Sequence, residues 1–65
     1  MNIYERLRMW CEETNRPLRE VADAADISPR TLRNYLQGKT PVTLPVMESI
    51  EETTGGYVRV EHWRS

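Results

Sequence analysis

The chain has 65 residues, 38% hydrophobic and 29% charged, with ten acids against nine bases and a formal net charge of −1. That length holds one domain, spanning 1–65, which buries only about 60% of its unfolded surface, and it leaves no room for the enclosed pocket of a metabolic enzyme. No apolar run approaches the roughly 18 residues of a membrane span, and one cysteine with one histidine supplies neither an internal disulfide nor four zinc ligands.

The first helix is predicted over Ile3–Thr14. Ile3, Leu7, Trp10 and Cys11 recur on one helical face. Asn2 followed by Glu5 reads as an N-cap pair. Asn15, which tolerates the left-handed region, and Pro17 stop the helix. Cys11 lies on the buried face, as a small core residue. A lone cysteine also points to a reducing, cytoplasmic compartment, and the charged N-terminus MNIYERLRMW does not read as a secretory signal.

The second helix is predicted over Leu18–Ala25, with Leu18, Val21, Ala22 and Ala25 facing inward. That face is mostly small, and its small residues let a neighbouring helix come close. The break at Asp26-Ile27-Ser28 is tight. Asp26 is one of the few residue types other than glycine that enter the left-handed region readily. Ser28 is a good N-cap and Pro29 suits the first helical position. The third helix therefore starts at Pro29, buries Leu32, Tyr35 and Leu36, and ends near Leu36 or Gln37 ahead of Gly38.

The stretch from Lys39 to Thr43 is extended, because Pro41 keeps Thr40 out of the helical region. A fourth helix follows from Leu44 or Pro45 to Thr53, with Val46, Met47 and Ile50 inward. Gly55-Gly56 ends it. Tyr57 to Glu61 alternates, with Val58 and Val60 pointing one way, and reads as a short strand or extended arm. Residues 57–65 form this arm. The predicted class is therefore all-α, a compact four-helix domain with a C-terminal extended arm or strand.

The charges are unevenly ordered. From Ile27 to Met47, 21 residues, there is no Asp or Glu, while Arg30, Arg33 and Lys39 fall inside the stretch. The acids flank it on both sides. A local positive face results on a molecule with a slightly acidic balance.

The corner between the second and third helices needs a small residue at close approach, a turn former, and apolar plugs. Ala22, Asp26, and Ile27 with Leu32 and Tyr35 meet those needs. The run PLREVADAADISPRTLRNYLQGK, which contains the motif at about 18–37, resembles the helix-turn-helix of the lambda-repressor and Cro family. Ala22 falls on the family's small alanine, Ile27 on its apolar residue after the turn, and Leu32 and Tyr35 on later core positions. The tail EETTGGYVRVEHW is similar to tails of small phage Cro-like regulators. Two positions depart from the pattern: Asp26 stands where the family usually has glycine, and Leu18 where it usually has a phosphate-binding glutamine, a role Arg19 is placed to take.

The resemblance implies a sequence-specific DNA-binding regulator with no catalytic activity, a phage or prophage Cro-like repressor on a pseudo-palindromic operator. The third helix enters the major groove, where each base pair shows its own donor and acceptor pattern. Its outward face carries Arg30, Arg33, Asn34 and Gln37, with Ser28 and Pro29 at the tip, as base contacts. Arg19, Thr31, Lys39 and Thr40 are phosphate contacts. Loss of the Arg33 side chain is expected to relax preference at one base pair; equal loss on every sequence marks it instead as a phosphate contact. Double-stranded DNA and a second copy of the chain are the expected partners, with no cofactor, metal, small-molecule ligand or membrane. Tyr57, Val58, Val60 and Trp63 are dimerisation candidates, or else pack the tail onto the first and fourth helices. His62 is expected as a tail residue with no catalytic role. Two other readings stay open: a protein-interaction module on the same scaffold (an antitoxin, anti-repressor or polymerase-binding phage protein), and a DNA-bending protein using the Tyr57–Glu61 arm in the minor groove.

Overall fold

The computed structural model describes residues 2–63. Four helices follow in chain order: α1 over Ile3–Thr14, α2 over Leu18–Ala24, α3 over Pro29–Leu36 and α4 over Leu44–Thr53; a 3-10 turn over Val60–Trp63 closes the described chain. The four helices agree with the sequence pattern, α2 ending at Ala24, one residue before the expected end.

Local chemistry sets each boundary. At the start of α1, the Glu5 amide donates to Asn2 Oδ1 at 2.8 Å, which satisfies one of the helix's orphan donors. All four helices end by one device. Asn15, Asp26, Gly38 and Gly55 take positive φ values of 56°, 58°, 73° and 63°. The next residue's amide then turns back to a carbonyl of the last helical turn: Arg16 to Cys11 at 3.0 Å, Ile27 to Ala22 at 3.0 Å, Lys39 to Asn34 at 2.9 Å and Gly56 to Glu51 at 2.9 Å. At Gly38 and Gly55 the missing Cβ makes that conformation inexpensive; Asn15 and Asp26 are the side chains that tolerate it best.

The core gathers one stripe from each helix: Leu7 and Trp10 from α1, Val21 and Ala22 from α2, Leu32 and Leu36 from α3, Val46 and Ile50 from α4, and Val58 from the tail. Each fully buried aliphatic side chain contributes roughly 1.5–3 kcal/mol. α2 packs on both α3 and α4, and α1 packs on α3. Ala22 is fully buried within that arrangement, so a larger side chain there would push the two helices of the corner apart. Ile27 and Tyr35 pack partly buried against the same core.

The tail differs from the expected strand or extended arm. Among the described residues there is no strand; Tyr57 and Val58 lie in a bend after the Gly-Gly turn, and Val60–Trp63 coils as a 3-10 turn. The reason lies in its backbone donors. The Val58 amide donates to Thr54 Oγ1 at 3.1 Å and the Val60 amide to Glu51 Oε1 at 3.0 Å. Both are taken by side chains of α4 and its cap. Val58 is fully buried under α4. A two-residue alternation satisfied by one plug and one side-chain clip looks the same in sequence as a pleated strand.

The two ends of the described chain are fastened together. Arg6 Nε donates to the Tyr57 carbonyl at 2.9 Å, and its guanidinium lies 5.2 Å from the centroid of the Tyr57 ring.

Candidate nucleic-acid interface

α3 begins with a closed cap. Ser28 Oγ accepts the Thr31 amide at 3.1 Å and donates to Thr31 Oγ1 at 2.9 Å. Pro29 occupies the first turn, where its missing N–H is no loss. With Leu32 and Leu36 buried, the remaining stripe faces outward. Arg30, Arg33 and Gln37 are exposed, Asn34 is half-buried on the same side, and Ser28 and Pro29 stand exposed at the tip. Lys39, Thr40 and Arg19 are exposed at the motif's edges, whereas Thr31 is half-buried and its hydroxyl is engaged by Ser28. The structure thus brings the expected base-contact residues onto one helix side. It leaves Thr31 least free of the expected phosphate contacts.

The cations fall into two groups. Arg16 pairs with Glu20 at 3.7 Å and lies over the Trp10 ring at 5.6 Å. Arg59 pairs with Glu61 at 3.9 Å and donates to the Gly56 carbonyl at 3.2 Å. Arg6 is held by Tyr57, as above. Among the described residues, Arg8, Arg19, Arg30, Arg33 and Lys39 have no carboxylate within 4.0 Å. The cations tied to their own chain are Arg6, Arg16 and Arg59; those left without a carboxylate are Arg8 on α1, Arg19 on α2, Arg30 and Arg33 on α3, and Lys39 just beyond α3.

Arg33 sits at the flank of the outward face, about 60° round the helix from Leu36. There it lines a shallow pocket of about 330 Å³ with Tyr4, Arg8, Cys11, Glu12 and Leu18, between α1, the start of α2 and α3. Nothing in the sequence periodicity of α1 sets Arg8 apart from other exposed cations; only the packing of α1 against α3 does. A larger concavity, about 700 Å³, lies at the far end of α4 and is lined by Glu48, Glu51, Glu52, Gly55, Gly56 and Val60. Its carboxylates repel a polyanion and leave that end of the molecule to other uses.

Of the dimerisation candidates, Val58 is corrected outright: fully buried in its own core, it offers nothing to a second chain. Strand pairing through Val58 and Val60 is corrected with it, since both amides are already engaged. Tyr57 and Trp63 are half-buried against the domain's core, and Val60 is half-buried. The Trp63 indole N–H is buried with no acceptor among the described residues. His62 Nδ1 accepts the Arg59 amide at 2.9 Å, which makes this histidine a cap of the 3-10 turn.

Cys11 is a partly buried free thiol. Burial first, then the nearby Glu12 and Glu20, push its pKa above the ordinary thiol value. It therefore stays protonated at neutral pH, a poor nucleophile. Among the described residues, no group of three or more His, Cys, Asp or Glu side chains is placed to hold a metal ion. No described helix is long and apolar enough to cross a membrane.

One comparison places this geometry among known proteins: a family model described as a helix-turn-helix domain matches residues 5–56. No curated protein and no solved structure matches the chain.

Proposed function

Because the chain belongs to the helix-turn-helix domain family, a family of DNA-binding regulators, we propose that it is a sequence-specific transcriptional regulator that reads the major groove with α3. The observation that carries this reading is the outward stripe of α3, where Arg30 and Gln37 are exposed beside Asn34 and Arg30 has no carboxylate partner among the described residues, with Arg33 exposed at the flank of that stripe. Arginine is suited to bidentate contact with guanine, and Asn or Gln to adenine; each such pair supplies about 1–3 kcal/mol of discrimination. Ser28 and Pro29 lead the helix into the groove. Arg19, Lys39 and Thr40 lie where the flanking backbone would run, and Thr31 contributes there through its position in the first turn.

The finer reading is a Cro-like repressor of phage or prophage type, working as a homodimer on a pseudo-palindromic operator. A single domain of this size offers an interface of about 600–1,000 Å², which favours two copies on two half-sites. Selection of bound sequences from a random DNA pool tests the proposal. The expected result is an enriched pseudo-palindrome with half-site centres about 34 Å apart. A pool recovered with no enriched sequence overturns it. A single enriched half-site keeps the DNA reading and removes the dimer. A second reading, a protein-interaction module on the same scaffold, is favoured by the acidic concavity of Glu48, Glu51 and Glu52; it predicts that same absence of enrichment.

A further inference from the structure

We infer that the pocket between α1 and α3 seats one phosphate of the DNA backbone, clamped by Arg8 from α1 and Arg33 from α3, and that Arg33 is thereby a phosphate contact and not a base reader. The inference rests on the DNA-binding reading and assigns this pocket a ligand.

Three observations converge on it. Arg8 and Arg33 come from different helices, line one concavity and are both exposed. Neither has a carboxylate within 4.0 Å among the described residues, although Glu12 lines the same pocket. Two guanidinium groups against the single carboxylate of Glu12 leave this concavity with a positive lining that favours an anion. Guanidinium forks match phosphate oxygens by geometry as well as charge. The shape of the duplex identifies the anion. A helix with its side chains is about 10–12 Å across and the major groove about 12 Å wide. Once α3 occupies the groove, the sugar-phosphate ridges lie along its flanks. Arg33 occupies such a flank, and α1 with Arg8 stands immediately beside it. Arg30, Asn34 and Gln37, farther round the helix, keep the base edges. Glu12 acts against the phosphate, so neutralising it strengthens binding.

The test uses the full chain and the DNA sequence enriched from the random pool, with affinity measured by fluorescence anisotropy across a salt series. Arg8→Ala is expected to weaken binding about three- to ten-fold, equally on selected and scrambled DNA, and to reduce the magnitude of the log–log salt slope by about 0.9. Arg8→Lys retains most of that slope, and Glu12→Gln tightens binding on both DNAs. Replacing backbone phosphates one at a time with neutral methylphosphonates locates the partner: one position weakens the wild type and has no further effect in Arg8→Ala. Sequence-specific binding by the wild type with an unchanged affinity and slope in Arg8→Ala overturns the inference and leaves the DNA reading standing. So does a methylphosphonate series in which every position acts alike in both proteins. A wild type that selects no DNA sequence overturns both.

Discussion

At Thr54 a single hydroxyl donates to the Ile50 carbonyl at 2.8 Å and accepts the Val58 amide at 3.1 Å. The side chain is 5% exposed, the one polar residue in the buried set among the described residues. Thr54→Val keeps the shape and removes the hydroxyl, so the Val58 amide is buried without an acceptor. That orphaned donor costs about 1–3 kcal/mol. For a domain of this size, a loss of 1 kcal/mol lowers Tm by about 4–8 °C. Thermal unfolding followed by circular dichroism checks it, with Thr54→Ser close to the wild type. A loss in the serine variant as large as in the valine one would place the effect in packing. Arg6, Glu51 and Thr54 share one history: each is an ordinary polar residue in sequence whose partner lies in the tail. Thr54 before Gly-Gly carries a faint local signal, as a side chain placed to receive the amides of a turning chain. Arg6 carries none, since its partner at Tyr57 becomes a neighbour only after the fold closes.

At the scale of the element, the start of α3 is both a structural cap and the tip of the proposed reading helix, and the two roles separate by charge. Ser28→Ala removes the acceptor of the Thr31 amide and costs about 0.5–2 kcal/mol. Ser28→Asp keeps a cap and adds a negative charge favoured at a helix N-terminus. It is expected to hold the Tm near the wild-type value while weakening DNA binding on every sequence, because the new carboxylate faces the phosphate backbone. Equal DNA affinity in Ser28→Asp and wild type would move the tip of α3 away from the duplex. Caps of this kind made the helices legible. Asn2, Ser28, Asn15, Asp26 and the glycines act within a few residues of where they stand, and the apolar stripes repeat at the helical period. The tail was not legible for the opposite reason. Val58 and Val60 alternate as a strand would, and the groups that coil the segment, Glu51 and Thr54, belong to the preceding helix. The outward stripe of α3 follows from its period alone. The pocket joining Arg33 to Arg8 depends on how α1 packs across α3, which no local pattern encodes.

For the whole molecule, net charge is a poor guide to its electrostatics. The chain carries −1 overall, yet four of its cations without a carboxylate partner, Arg19, Arg30, Arg33 and Lys39, fall on or next to α2 and α3, while Glu48, Glu51 and Glu52 line a concavity at the end of α4. A dimer engaging roughly six to eight phosphates is expected to show a log–log salt slope of about −5 to −7. Titrations between low and physiological salt measure it directly. A slope near zero removes the electrostatic part of the proposed function, whatever the contribution of base contacts. The left-handed stop after each helix adds a limit of a different sort. α3 has 8 residues, about 12 Å of rise, and Gly38 prevents it from growing. Base pairs are stacked about 3.4 Å apart, so this rod spells out a word of three or four letters and no more. Words that short recur throughout any genome, and a reader with so small a vocabulary identifies one address only when two of them are spoken at a fixed interval.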